Sequence, residues 1–275
     1  MSRWGSVANA PPTAFEFLTA LCESLGKGWH VIGDGRFLWA TRYDAAEHAA
    51  CAQHAHHALS RLEQMGLDPG RDPIPAVLLP DVEAQLAYHG LFARPDDPPE
   101  QTIIDGGSWC SWPIGHLAIP VSAWDALDAA FAHELVHAVL SADGIPLWLQ
   151  EGIACEVETW MGNRRDPFAD EHEFAECLAM WRGADQARLW NSTAFRDPAT
   201  SRQAYLIAQV LAMRWTRTRG GLADLRAAGG WAHEDAVLRR LAGTDRAGLL
   251  AAALDPPVPQ GLLHRLFAAL FVGGR

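Results

Sequence analysis

Five consecutive residues, His133-Glu134-Leu135-Val136-His137, combine two imidazoles and a carboxylate at a spacing that suits a metal ion. On a helix, positions i and i+4 project from one face. His133 and His137 can then hold the same ion, and Glu134 between them can reach a water carried on it. Glu151, in Trp148-Leu149-Gln150-Glu151-Gly152-Ile153-Ala154, offers a third ligand from a second helix. Two imidazoles, one carboxylate and one open position are the donor set of catalytic zinc, not structural zinc, at one ion per chain. The plainer alternative is an amphipathic helix with two histidines that have ordinary hydrogen-bond partners.

The flanking residues predict the elements that would position this set. Asp125-Ala126-Leu127-Asp128-Ala129-Ala130-Phe131-Ala132 leads in and Ala138-Val139-Leu140 leads out, with few residues that oppose a helix and apolar positions at helical spacing. Asp143-Gly144 stops that helix, and Pro146 suits the first turn of the next. The connection is short, so the second helix can fold back antiparallel. Glu151 then lies about one turn inside it, near the level of His137.

His-Glu-Leu-Val-His, a short turn, then Pro-Leu-Trp-Leu-Gln-Glu-Gly-Ile-Ala resembles the gluzincin metallopeptidases, and most of all the small bacterial peptidase MA-like domains. The resemblance is strongest over residues 125–160 and weaker from about residue 30 to 250. It implies His133, His137 and Glu151 as zinc ligands and Glu134 as catalytic base. Ala204-Tyr205-Leu206-Ile207-Ala208 resembles a later helix of that family, which implies Tyr205 as a stabiliser of the transition state. Two departures stand out. Many gluzincins carry a carboxylate four residues after the ligand Glu, where it orients a ligand histidine; here Cys155 stands there, with Glu156 and Asp128 as conceivable substitutes. The Gly-x-Met-Glu-Asn segment of related aminopeptidases is missing, which favours an endopeptidase acting on a peptide or protein. The competing expectations are a zinc-bearing but catalytically idle domain used in protein interaction or assembly, and a metal-free interaction module.

At 275 residues and 49% hydrophobic, the chain can bury a full core. No unbroken apolar stretch reaches membrane-spanning length, and residues 1–12 contain no apolar signal core, so a cytoplasmic protein is expected. A net charge of −11 disfavours nucleic acid as a partner. Cys22, Cys51, Cys110, Cys155 and Cys177 show no C-x-x-C spacing, which fits free thiols in a reducing compartment.

Along the chain the pattern predicts a loose tail over 1–12 and a helix over Phe15–Leu25. A hairpin follows, from Trp29–Ile32 and Arg36–Thr41 around Gly33-Asp34-Gly35. Ala45–Met65 reads as a long helix with Ala49, Ala52, Leu59 and Leu62 on one face, Pro75–Leu79 as a strand, and Asp81–Tyr88 as a helix. A Pro/Asp loop over 93–100 precedes strands at Thr102–Ile104 and His116–Val121, and from Trp124 the pattern is mainly helical. The expected architecture is α+β, one two-lobed domain over 13–275. Its mixed sheet-and-helix lobe covers about 13–142 and carries the metal helix, and a helical lobe covers 143–275. The strand ending at Val121 reads either as an edge strand that pairs with substrate or as a plain sheet strand.

Other constellations have two readings each. His48, Cys51, His54, His56 and His57 are a second metal site or a solvated face of a His-rich helix. Asp166–Glu176 is a substrate-facing acidic wall or a solvated helix start, and His172 within it a second oxyanion donor. Arg214, Arg217 and Arg219 suit a helix C-terminus. The tryptophans read as core residues, with Trp148 beside the metal.

Overall fold

The computed structural model describes residues 13–70, 73–92, 108–110, 114–121, 126–162, 164–183 and 186–254. The expected tail over 1–12, the loop over 93–100 and the strand at Thr102–Ile104 lie outside them, as does the side chain of Cys110. The chain divides into two compact units, one ending at Val139 and the other beginning at Leu140. The fold is α+β.

The first unit begins with α1 (Ala14–Leu25). Thr13 caps it, and Glu16 reaches back to the Thr13 N–H, a reciprocal box that satisfies two otherwise orphaned donors. β1 (His30–Gly33) and β2 (Phe37–Thr41) form the expected hairpin, with Gly35 at a φ of 94° that a side chain would resist. Asp34 stitches the turn by accepting from the Phe37 N–H and the Trp39 indole. α2 (Ala45–Gln64) is capped by Asp44 and Glu47 in the same way as α1. β3 (Ile74–Leu79), α3 (Val82–Phe92), β4 (Ser108–Cys110), β5 (His116–Pro120) and α4 (Leu127–Ala142) complete the series.

The sheet runs β1-β2-β3-β5-β4, parallel across β2, β3 and β5 and antiparallel at both ends. β3 and β5 are buried at every position, as central parallel strands covered on both faces must be. Side chains alternate between the faces. Ala40, Val77 and Leu79 meet Phe17, Leu18 and Leu21 of α1 and Tyr88 of α3. Phe37 and Trp39 point the other way, where Trp39 packs edge-on against His48 of α2 and Phe131 of α4.

One expectation is corrected here and one open reading is decided. Ala49 is exposed, and the buried face of α2 is instead His48, Cys51, Ala52, Ala55, Ala58, Leu59 and Leu62. β5 is not at the sheet edge, because β4 pairs along its outer side from His116 to Ala118, so the plain-strand reading holds.

His116 lies on β5 without any exposure. Its Nδ1 lies 2.9 Å from the Ile114 carbonyl, which can only accept, so that nitrogen carries the proton and Nε2 accepts from the Tyr88 hydroxyl at 2.6 Å. Burial pushes its pKa down to about 4, against a smaller upward pull from the Ile114 bond. Burial lowers His48 and His89 as well. The folded state therefore refuses a proton that the unfolded chain takes up near pH 6.5. Stability present above that pH drains as it falls toward about 4, by roughly 3 kcal/mol for His116. Urea midpoints at pH 7, 6 and 5 should fall steeply in the wild type and less steeply in His116→Gln. Equal slopes in the two proteins would remove His116 from the acid response.

The second unit contains helices and no strand among its described residues. It contains α5 (Leu147–Trp160), α6 (Glu171–Gly183), α7 (Ala187–Trp190), α8 (Ser201–Thr216), α9 (Gly221–Ala227), α10 (Glu234–Ala242) and α11 (Arg246–Leu254). α5 and α8 form its central pair. A Cβ on Gly152 of α5 would sit 2.2 Å from the Ala208 carbonyl oxygen and 2.9 Å from the Ala212 Cβ, so this close approach requires glycine. Beside that contact Arg217 donates to the fully buried Glu156 at 2.5 Å and to Asp166 at 2.9 Å. Gln209 donates to Glu156 and to Thr159, both at 2.9 Å. Arg217 thus does more than complement a helix dipole. Among the described residues of both units, no helix is long and apolar enough to cross a membrane.

Candidate metal centre

α4 carries His133, Glu134 and His137 in an uninterrupted helix. It ends where Gly144 takes a φ of 70°, which lets the Gly144 N–H bond Ser141 O at 3.1 Å and the Ile145 N–H bond Leu140 O at 3.2 Å. Pro146 then caps α5, accepting from the N–H groups of Leu149 and Gln150. Glu151 follows in the second turn of α5, as the spacing predicts.

This helix–turn–helix brings the three predicted ligands together. His133, His137 and Glu151 each offer one donor atom, and these atoms all lie within 4.8 Å of one another. The two imidazole rings have centroids 5.0 Å apart. His137 is 6% exposed, Glu151 8% and Glu134 5%, while His133 is half-buried. Buried carboxylates persist only where charges or donors offset their lost hydration, and a divalent cation is such a charge. Two nitrogen donors and one oxygen donor suit a borderline-soft divalent ion. The His133–His137–Glu151 cluster can therefore hold a metal ion. It is the one such cluster among the described residues.

No family model matches the chain, and no curated protein matches it.

The other predicted residues fall in several places. Tyr205 lies on α8, half-buried, with its ring edge-on to Phe195 at 5.1 Å. His172, at the start of α6, has a side chain 84% exposed and sits 3.4 Å from Glu176. Trp148 is fully buried, its indole donating to Glu234 and its ring edge-on to Trp190. The acidic run serves the local structure: Asp166 binds Arg217, Asp170 caps α6, and Glu173 binds Arg202. Three of the four histidines of α2 lie against carboxylates, and the fourth, His48, is buried edge-on to Trp39. His54 and His57 present Nδ1 to the two oxygens of Asp128 at 2.5 and 2.8 Å, and His56 lies 3.2 Å from Asp34.

Cys155 is fully buried and free. Burial raises its thiol pKa well above 9.0, with Glu158, Glu151 and Glu156 adding to the rise and Arg164 opposing it, so at neutral pH it carries no charge. The two carboxylates considered as its substitutes have other partners, Glu156 with Arg217 and Gln209, and Asp128 with His54 and His57.

Sequence reading missed Gly152, Gln209 and the partners of Arg217. Only Gly152 carried a signal: a glycine inside a helix costs about 1 kcal/mol against alanine, so its presence beside a candidate ligand points to a close approach.

Proposed function

We propose that this protein is a zinc-dependent peptidase of gluzincin type, acting within peptide chains. The observation that carries this reading is the grouping of His133, His137 and Glu151 next to the buried Glu134. The two imidazoles and the Glu151 carboxylate would hold the ion. Zinc, when bound, polarises a substrate carbonyl and acidifies a water. Glu134, one residue from His133, has the carboxylate oxygens to take a proton from the attacking water and deliver it to the departing amine nitrogen. Tyr205 is the residue this reading assigns to the developing oxyanion, by a phenol hydrogen bond.

The donor set favours zinc over magnesium or calcium, which prefer oxygen ligands throughout. Wild-type protein should contain about one zinc per chain and His137→Ala much less. A wild type that stays metal-free after expression in zinc, or a variant that keeps its full complement, defeats the ligand assignment.

One observation favours a second reading, a zinc-holding domain without turnover. An uncharged thiol at Cys155 occupies the position of the orienting carboxylate. A broad peptide library separates the two readings: zinc-loaded protein that cleaves none of it belongs to the second.

A further inference from the structure

The residue before the third ligand is tied to the helix that carries the other two. Gln150 is 6% exposed. Its Nε2 donates to the Ile145 carbonyl at 2.5 Å, inside the turn, and its Oε1 accepts from the Ser141 hydroxyl at 3.0 Å, on the last turn of α4. The amide orientation follows from the partners, because a carbonyl can only accept and the hydroxyl then donates to the remaining oxygen. One side chain therefore ties the first turn of α5 to the last turn of α4 and to the turn between them.

Backbone bonds from Gly144 and Ile145 close the end of α4, and the Gln150 amide adds the side-chain link from α5 to that end. Gly144 has a left-handed conformation and no side chain, and Pro146 caps α5 without any side-chain hydrogen bond. A small rotation of α5 about its first turn would carry the Glu151 carboxylate away from the imidazoles. Metal–oxygen bonds of about 2.0–2.2 Å tolerate errors of only a few tenths of an ångström. Two hydrogen bonds from the neighbouring residue, one to the turn and one to α4, oppose that rotation.

We infer that Gln150 is a positioning residue: its amide sets the register between α4 and α5 and thereby presents Glu151 to the ion held by His133 and His137. This inference rests on the metal reading above. Gln150 itself is not assigned as a ligand. Its role resembles that of outer partners of metal ligands, whose loss typically costs about 10–100-fold in metal affinity.

The test compares wild type, Gln150→Met and Ser141→Ala by zinc affinity, through competition with a chelator, and by the visible spectrum of the cobalt(II)-substituted proteins. Methionine keeps the length and apolar stem of glutamine and removes both hydrogen bonds. Gln150→Met should bind zinc about 10–100-fold more weakly and give an altered cobalt spectrum. Ser141→Ala, at an exposed position, keeps the Ile145 bond and should lose only a few-fold. A purely structural Gln150 would lower the melting temperature and leave zinc affinity and the cobalt spectrum alone, and that result overturns the inference. If Gln150→Met does not fold, Ser141→Ala decides, and unchanged zinc affinity in it overturns the inference. A wild type that binds neither ion defeats the metal reading and this one with it. A wild type that binds, beside variants that bind equally well, defeats this one alone.

Discussion

Glu134→Gln should keep its zinc and its melting temperature while losing peptide hydrolysis by about 10²–10⁴-fold. The amide matches the carboxylate in size, so the buried pocket around a side chain only 5% exposed is not opened. What changes is the chemistry. A carboxylate oxygen accepts a proton and releases it again, and an amide oxygen does neither at neutral pH. Single-turnover assays on a peptide cleaved by the wild type, with zinc content measured on the same samples, separate this loss from loss of the ion. An unchanged rate would remove Glu134 from the mechanism. Tyr205→Phe belongs in the same assay. Its ring packs edge-on against Phe195, a contact that phenylalanine preserves, so stability should hold. Loss of the hydroxyl should cost on the order of 2.7–4 kcal/mol in the barrier if it donates to the oxyanion, and nothing if the ring alone matters.

The order of elements in the first unit was legible because local signals coincide there with tertiary demands. Apolar periodicity predicts helices over Phe15–Leu25 and Ala45–Met65, and the structure adds reciprocal caps at Thr13/Glu16 and Asp44/Glu47 that the periodicity does not single out. Gly33-Asp34-Gly35 announces the hairpin, and Asp34 closes it. The neighbours of β5 were not legible, since strand order depends on pairings between distant segments that no local pattern encodes. The face of α2 was misread for a related reason. Its alanines are equally acceptable on either side, and burial of Ala52 with exposure of Ala49 was decided by where Trp39 and Phe37 project from the sheet.

The grouping of the three candidate ligands was legible for a physical reason. Two candidate ligands on one helix face and a third one short turn away lie close in sequence, so helical periodicity and a short connection bring them near one another. The groups that brace them are a different matter. Arg217 reaches Glu156 from far along the chain, and only the pairing of α5 with α8 brings the two together. Nor does any sequence rule say whether a histidine in a His-rich helix serves a metal or a carboxylate. Asp128 answered that for His54 and His57.

Gly152→Ala should destabilise the protein by about 1–3 kcal/mol and weaken zinc binding, although alanine is the better helix former. Two effects oppose each other. The added methyl gains about 1 kcal/mol of helix propensity inside α5. It also arrives 2.2 Å from the Ala208 carbonyl oxygen and 2.6 Å from its carbon, and both atoms are backbone, so no side-chain rotation relieves the clash. α8 must retreat from α5 by roughly 1 Å, which loosens dispersion contacts along the central helix pair of the unit. It also strains the bonds from Gln209 and Arg217 to Glu156, whose buried charge depends on them. The steric term exceeds the propensity gain, so the sign is destabilising. Glu151 immediately precedes Gly152 on α5, so the displacement reaches the third candidate ligand, and zinc affinity should fall along with the melting temperature. Calorimetric melting of the zinc-free protein, followed by chelator competition, reads the two effects separately. An alanine variant that melts at or above the wild-type temperature would mean that α5 and α8 do not approach through Gly152.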